Sequence, residues 1–211
     1  MTGAHAAPDH AGASRSVEVE RKFDVEDATP LPDWSALPGV TSVAEPERRE
    51  LDARYLDTTE LAMAAAGYAL RRRTGGPDAG WHIKGPKVDG GRVELGWPLG
   101  DDDEEVPDAV RAVAATVTEG ELGTIARILN TRTAYELRSG SGVVAEFVDD
   151  RVTATDARTG VVRTWREWEI ELGPDAPADS GPLFAAVESA VLAAGGRPAA
   201  SDSKLARALG H

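Results

Sequence analysis

The chain has 211 residues and a formal net charge of -13, from 36 acidic and 23 basic residues. This length allows one substantial hydrophobic core, and the negative charge argues against nonspecific binding to nucleic acid or to an anionic membrane surface. The absence of cysteine excludes disulfides, thiolate metal sites and thiol nucleophiles. Since no run of about 18 apolar residues occurs, we predict a cytoplasmic protein without a membrane span. Residues 1–15 lack a signal-peptide pattern, and we predict a disordered tail there and a single domain over 16–211.

The first predicted element is a β-strand that directly follows this tail. In residues 17–23, apolar residues alternate with charged ones, which is the period-2 pattern of a strand with two different faces. Glu18, Glu20 and Lys22 therefore share one face, which is either a solvated surface or one wall of a binding site. Arg21 points the other way and is assigned to the outer surface.

The rest of the sequence predicts a mostly antiparallel β protein, because several strand patterns are separated by turns of hairpin length. The further predicted strands are 50–57, 68–74, 81–86, 92–99, 129–137, 142–148, 152–156 and 161–172. Helices are predicted at 61–66, 107–118, 182–194 and 201–209. About eight antiparallel strands can close on themselves, so the predicted fold class is α+β, an eight-stranded antiparallel β-barrel or tunnel with helices packed outside.

Charged residues recur at spacing two in these predicted strands. The same-face sets are Arg71 and Arg73, His82 and Lys84, Arg92 and Glu94, Glu146 and Asp150, and Glu167, Glu169 and Glu171. If the helices cover the apolar outer faces, the charged faces point inward. A wet outer face is the ordinary alternative in antiparallel sheets. Because acidic residues dominate some strands and basic residues others, we favour a tunnel with an acidic wall and a cationic wall.

Such a tunnel fits a polyanion that binds together with a divalent metal ion. Guanidinium and ammonium groups bind phosphate oxygens, and carboxylates hold Mg²⁺ or Mn²⁺, which prefer oxygen ligands. The sequence has no Walker-type loop, no G-x-S-x-G elbow and no H-E-x-x-H motif. The pattern therefore indicates metal-assisted phosphate chemistry.

The series of motifs resembles the CYTH family, the triphosphate tunnel metalloenzymes that include class IV adenylyl cyclases and thiamine triphosphatases. The family signature E-x-E-x-K is matched by Glu18-Val-Glu20-Arg-Lys22. The likeness continues in order through Tyr55-Leu-Asp57-Thr58, Leu70 to Arg73, Trp81 to Lys84, Arg92-Val-Glu94, Arg132-Thr133, Glu146 to Asp150, Glu167 to Glu171 and Ser203-Lys204. A single E-x-E-x-K is a weak signal, whereas the ordered series over about residues 16–209 is specific.

The resemblance implies a tunnel whose basic residues hold a triphosphate and whose acidic residues hold one or two ions of Mg²⁺ or Mn²⁺. The implied phosphate-binding residues are Lys22, Arg71, Arg73, Lys84, Arg92, Arg132 and Lys204. The implied metal ligands or water-positioning residues are Glu18, Glu20, Glu94, Asp150, Glu167 and Glu169, with Glu171 as an alternative within its row. The predicted catalytic residues are Glu18, Glu20, Lys22 and Lys84.

The predicted activity is metal-dependent hydrolysis of a triphosphate, above all inorganic tripolyphosphate, by water. Alternatives are class IV adenylyl cyclase activity, thiamine-triphosphatase activity, a polyphosphate- or nucleotide-binding module without turnover, and an interaction surface of solvent-facing charges. For thiamine triphosphate, Trp34 and Trp97 are candidates for stacking on the substrate, although core positions are favoured for both. The expected partner is a small-molecule triphosphate, with no nucleic acid and no membrane.

Two departures from related bacterial sequences carry further expectations. Those sequences often have more arginines just before the position of Arg132, where this chain has Ile128-Leu-Asn-Thr131, and this predicts a weaker grip on one end of a longer phosphate chain. Many of them continue into a helical, histidine-rich polyphosphate-binding domain. The present sequence stops after the tunnel, and we expect a monomer or homodimer that acts alone.

Overall fold

The structure, a computed structural model, describes residues 12–100, 105–201 and 203–211. Of the predicted tail, residues 1–11 lie outside these described residues. The first strand starts at Ser14, two residues before the predicted domain boundary at residue 16.

One antiparallel sheet dominates the fold, with eleven strands among the described residues. They are β1 (Ser14–Glu18), β2 (Glu20–Val25), β3 (Ser42–Val43), β4 (Glu47–Asp57), β5 (Ala69–Thr74), β6 (Gly80–Val88), β7 (Gly91–Trp97), β8 (Gly123–Ser139), β9 (Gly142–Asp156), β10 (Val162–Leu172) and β11 (Arg197–Pro198). Their order is β1-β7-β6-β5-β4-β8-β9-β10-β2-β11, and β3 pairs with β8.

The prediction of eight strands is therefore wrong in number. The predicted strands 142–148 and 152–156 form one continuous strand, β9, and the two-residue strands β3 and β11 had no recognisable pattern. The predicted first strand is divided at Val19 into β1, which pairs with β7, and β2, which pairs with β10. Since one residue joins the two, the sheet curls into a tunnel-like half-barrel.

Four short α-helices lie in the described part of the chain: α1 (Ala62–Ala65), α2 (Asp108–Ala114), α3 (Gly181–Ala194) and α4 (Lys204–Leu209). Each lies within or at the edge of a predicted helix. Gly67 follows α1 with a φ of 82°, a left-handed conformation that glycine adopts without strain. Ser203 caps α4, because its hydroxyl accepts a hydrogen bond from the Ala206 N–H at 3.1 Å. Within the described residues, none of these helices has the length and apolar character needed to cross a bilayer.

Two helices cover the outer face of the sheet. The α3 side chains Leu183, Phe184, Val187 and Val191 pack against Phe23, Phe147 and Trp168. The α2 side chains Val110 and Val113 pack against Trp81, Ile83, Leu95 and Trp97. Because successive strand residues point to opposite faces, the charged residues between these apolar ones point inward. Trp34 and Trp97 are only 4% and 6% exposed within these cores, which confirms the favoured core positions and leaves neither ring exposed for stacking on a substrate.

The fourth helix departs from the prediction that all helices pack outside. Leu205 and Ala208 of α4 belong to a cluster with Ala53, Tyr55 and Ile128. These three strand residues line the interior cavity, and so does Leu205 itself. The C-terminal helix therefore contributes to the wall of the tunnel.

Candidate active site

A cavity of about 110 Å³ lies inside the curled sheet. Most of the predicted site residues line it: Glu18, Glu20, Lys22, Arg71, Arg73, Lys84, Arg92, Arg132, Glu169 and Lys204. They come from seven of the strands and from α4. The charged rows thus face an interior cavity, which contradicts the alternative of a solvent-facing interaction surface.

Glu94, another predicted metal ligand, is buried behind the cavity lining. One of its carboxylate oxygens lies 2.7 Å from His82 Nδ1, and the other lies 3.1 Å from Lys84 Nζ and 3.6 Å from an Arg71 nitrogen. Burial raises the pKa of Glu94, but the hydrogen bond with His82 and the charges of Arg71 and Lys84 outweigh burial and hold the pKa below its usual range. Glu94 is placed as a counter-ion of these basic residues, and its role as a metal ligand stays a prediction.

Asp150, Glu167 and Glu169 form a buried carboxylate cluster whose oxygens lie within 4.8 Å of one another. Lys204 Nζ sits among them, 2.9 Å from Asp150, 2.5 Å from Glu167 and 2.8 Å from Glu169. Arg132 makes two hydrogen bonds to Asp150, of 2.8 and 2.7 Å. The cluster therefore has the shape of a cation site, and an ammonium group occupies its centre.

The charges in this cluster support one another despite their burial. Burial opposes the charged form of Glu169, but Lys204, followed by Lys22 and Arg132, holds its pKa well below the usual range. Burial likewise opposes the charged form of Lys204, but Asp150, Glu167 and Glu169 raise its pKa well above the usual range. The predicted contact of Lys204 with phosphate thus competes with three carboxylates in this structure.

Glu18, Glu20 and Glu171 form a less balanced group of carboxylates on the cavity wall. Glu20 and Glu171 lie directly opposite each other on β2 and β10. Burial, and then the charge of Glu18, raise the pKa of Glu171 to about 7. Glu18 pairs with Lys84 and Glu20 pairs with Lys22, whereas Glu171 forms no ion pair within the described residues, so three carboxylates share two ammonium groups. A set of oxygen donors with this excess charge fits a hard divalent cation such as Mg²⁺ or Mn²⁺.

The basic residues of the cavity lie close to one another, so their positive charges repel. Burial, followed by the charges of Arg71 and Arg132, lowers the pKa of Arg73 to about 9. Arg92 lines the cavity and forms no ion pair with any described residue. A bound polyanion would relieve this crowding, because phosphate oxygens accept hydrogen bonds from several guanidinium groups at once.

The expected division into an acidic wall and a cationic wall is wrong. Glu18 pairs with Lys84 at 2.5 Å, and Glu20 pairs with Lys22 at 2.9 Å. Strands rich in opposite charges become neighbours when the sheet curls, so acidic and basic side chains face each other in pairs. The sequence pattern identified the inward faces but could not show which charges would meet.

Sequence reasoning also missed a neutral side of the cavity. It is formed by β4, β8 and α4, and its residues include Leu51, Ala53, Tyr55, Ile128, Asn130 and Leu205. The alternation of β4 was recognisable, and the charged residues Asp52 and Arg54 between these lining residues lie on the opposite, outer face. Asp52, for example, accepts two hydrogen bonds from Arg127, of 3.0 and 2.6 Å.

Asn130 is the polar exception on this neutral side. It is 6% exposed, and its side-chain oxygen is buried without a hydrogen-bond partner. An unsatisfied buried acceptor costs roughly 1–3 kcal/mol. We therefore expect Asn130→Leu, which has a similar volume, to raise the free energy of unfolding by about 1 kcal/mol in urea titrations. Asn130→Asp, which adds a buried charge, should lower it, and a loss of stability in the leucine variant would contradict the expectation.

Solved structures with a similar fold come from several organisms. A candidate adenylate cyclase from Bacillus halodurans has a TM-score of 0.60 and 15% identity, covering 92% of this chain and 97% of that chain. HpAC1 from Hippeastrum, a candidate adenylyl cyclase described as having a dominant triphosphatase activity, has a TM-score of 0.55 and 19% identity, covering 90% and 93%. The PH1819 protein of Pyrococcus horikoshii has a TM-score of 0.56 and 19% identity, covering 91% and 98%. At these identities the likeness shows a shared fold.

Two curated proteins of Mycobacterium tuberculosis are more similar in sequence. The uncharacterised proteins MT2285 (strain CDC 1551 / Oshkosh) and Rv2226 (strain H37Rv) are each 39% identical over 210 residues. The match covers 93% of this chain but 41% of each relative, so the chain spans less than half of their length. The expectation that the protein acts alone stays a prediction.

The family comparison agrees with the geometry of the site. A model of the CYTH domain matches residues 16–188, which include the curled sheet from Glu18 to the carboxylates of β10. Members of this family are metal-dependent, and the chain has a buried carboxylate cluster. With this match over most of its length, the chain belongs to the CYTH family.

Proposed function

We propose that the chain is a metal-dependent triphosphatase that hydrolyses inorganic tripolyphosphate inside the tunnel. The proposal rests on one observation: a group of basic side chains, of which Arg92 forms no ion pair within the described residues, and three carboxylates that share two ammonium groups line the same interior cavity. Phosphate oxygens suit the first group and a divalent metal ion suits the second. A phosphate ligand that binds without a metal ion would need only the basic side chains.

In this proposal, basic residues hold the phosphate chain. Arg71, Arg73, Arg92 and Arg132 line the cavity and donate hydrogen bonds to nonbridging oxygens. Lys22 and Lys84, ion-paired with Glu20 and Glu18, become available to phosphate once those carboxylates are neutralised. When bound by Glu18 and Glu20, Mg²⁺ or Mn²⁺ would act as a Lewis acid toward phosphate oxygens.

The reaction is an in-line displacement on a terminal phosphorus. The oxygen of water forms a bond to that phosphorus, and the bond from phosphorus to the bridging oxygen breaks. The bridging oxygen leaves with pyrophosphate and takes up the proton that the attacking water gives up as orthophosphate forms. The arginines favour this step because they stabilise the charge on the oxygens of the transferring group, and they are already positioned before the reaction begins.

A phosphate-release screen tests this function directly. Purified protein is incubated with tripolyphosphate, ATP, GTP or thiamine triphosphate, in each case with Mg²⁺ or Mn²⁺ and then with excess chelator. We expect orthophosphate release from tripolyphosphate that the chelator abolishes and added metal restores, because the carboxylates would otherwise repel the substrate.

Other outcomes of the screen would overturn the proposal. Formation of cyclic AMP and pyrophosphate from ATP would assign cyclase chemistry to the tunnel, and faster cleavage of thiamine triphosphate would assign a different substrate. A rise in melting temperature with tripolyphosphate but no release of phosphate would identify a binding module without turnover.

A further inference from the structure

A second cavity of about 150 Å³ adjoins the tunnel. The two cavities share four lining residues: Glu18, Glu20, Lys22 and Arg92. The second cavity adds the cations Arg21 and Lys87, together with Gly90, Pro198, Ala199 and Ser201. Because Glu18 and Glu20 line both cavities, the carboxylates proposed to hold the metal lie at the junction.

Two cations of the second cavity, Lys87 and Arg92, lack neutralising partners among the described residues. Lys87 and Arg92 lie directly opposite each other on β6 and β7, an arrangement of like charges that destabilises a sheet. In the described part of the chain, neither residue forms an ion pair. Glu18, the other cross-strand neighbour of Arg92, pairs instead with Lys84 at 2.5 Å. Two adjacent cations thus remain available to an anion.

Arg21 adds a third positive charge at this place. Its guanidinium lies over the ring of Phe184, 4.5 Å from the centroid, and donates a 3.1 Å hydrogen bond to the backbone oxygen of Glu20. Both contacts position the guanidinium without cancelling its charge. Arg21 is exposed, as its assignment to the outer surface predicted, and it also lines the second cavity.

An irregularity in β6 brings Lys87 to this cavity. Lys84 and Lys87 are three residues apart and would point to opposite faces of a regular strand. The pairing register with β7 shifts between them, at Gly85-Pro86, as in a β-bulge that redirects a side chain. Proline has no N–H to donate to the sheet, and it is tolerated at a bulge because the regular pairing is interrupted there. Lys84 consequently lines the first cavity and Lys87 lines the second.

The second cavity opens outward. Its residues Lys87, Gly90 and Pro198 are exposed. On another side of the tunnel, residues Ser203 to Leu205 of the C-terminal segment form part of the wall. A phosphate chain too long for the tunnel therefore finds room and positive charge beyond Glu18 and Glu20.

We propose that the second cavity is a binding site for the continuation of a linear polyphosphate chain, held by Arg21, Lys87 and Arg92. The substrate class then includes inorganic polyphosphates longer than tripolyphosphate, with one end of the chain in the tunnel and the remainder passing out through the second cavity. This assignment rests on the proposed hydrolysis of tripolyphosphate. It extends that proposal by naming the length of the substrate and the direction in which the phosphate chain leaves the tunnel.

The test compares tripolyphosphate with tetrapolyphosphate in steady-state kinetics for the wild type, for Lys87→Ala and for Lys87→Ala combined with Arg21→Ala. We expect each substitution to raise the KM for tetrapolyphosphate, relative to the KM for tripolyphosphate, by about threefold to fivefold, the size of one solvated ion pair. The effect should shrink at high salt because exposed charges are screened. Arg151→Ala is the matched control, since Arg151 is exposed, pairs with Asp27 at 3.0 Å and lines neither cavity.

The proposal is overturned if the wild type cleaves tripolyphosphate but not tetrapolyphosphate, or if Lys87→Ala changes both KM values by the same factor or not at all. If the wild type releases phosphate from neither chain, the proposed hydrolytic function is wrong. The second binding site is then tested by calorimetry, which measures the Kd for tripolyphosphate and for tetrapolyphosphate. In that case a tighter Kd for the longer chain, reduced specifically by Lys87→Ala, supports the site. Equal affinities for the two chains reject it.

Discussion

Replacing Glu20 with glutamine is expected to lower the kcat for tripolyphosphate by about 100-fold or more, because the change removes a charged ligand of the proposed metal ion. The substitution keeps the size of the side chain and also removes the repulsion between Glu20 and Glu171, its partner across β2 and β10. Stability should therefore be preserved, and metal-independent binding of tripolyphosphate should be unchanged or tighter. The measurement is kcat over a titration of Mg²⁺ and of Mn²⁺.

A matched control separates this effect from a general loss of charge. Glu50 lies on the exposed side of β4, where it accepts a 2.8 Å hydrogen bond from Thr131, and it does not line the tunnel. Glu50→Gln should keep the wild-type rate. Equal rates for Glu20→Gln and the wild type at every metal concentration would remove Glu20 from the metal site and withdraw the main support for the proposed mechanism.

Replacing Lys204 with methionine is expected to lower the free energy of unfolding by about 3–5 kcal/mol, the usual effect of leaving buried charges without their partner. Asp150 is 0% exposed, and its carboxylate would remain close to those of Glu167 and Glu169 without the ammonium that separates them. Urea titration at neutral pH measures the loss. A second substitution, Glu167→Gln, should restore part of the stability because it removes one of the repelling charges.

The control for this variant is an exposed ion pair. Arg151→Met breaks the contact with Asp27, in which both side chains are more than half exposed, and should cost less than about 1 kcal/mol. If Lys204 served only as a phosphate ligand, its replacement would raise the KM for tripolyphosphate and leave stability nearly unchanged. That outcome would contradict the structural role that its three carboxylate contacts indicate.

Local alternation was sufficient to predict the inward faces of several strands. The spacing of two in Glu18-Val-Glu20-Arg-Lys22 and in Arg71-Arg-Arg73 is a property of extended backbone, which sends alternate side chains to one face whatever the neighbouring strand is. The order of the motifs indicated the family, and the match over residues 16–188 confirmed it. The number of strands was predicted less well, because β3 and β11 are too short to show a period and Val19 interrupts a continuous pattern.

The sequence by itself determined which charged residues turn inward, since that depends on backbone geometry within one strand. Only the tertiary structure decided which of those charges meet. Lys204 enters the carboxylate cluster because α4 packs through Leu205 against strands that are distant in sequence. Lys87 reaches the second cavity because a register shift between β6 and β7 redirects its side chain. The period-2 pattern of the sequence assumes a regular strand and therefore could not predict this shift. Contacts of this kind depend on how the sheet curls and on which strands become neighbours, and those depend on the packing of the whole chain.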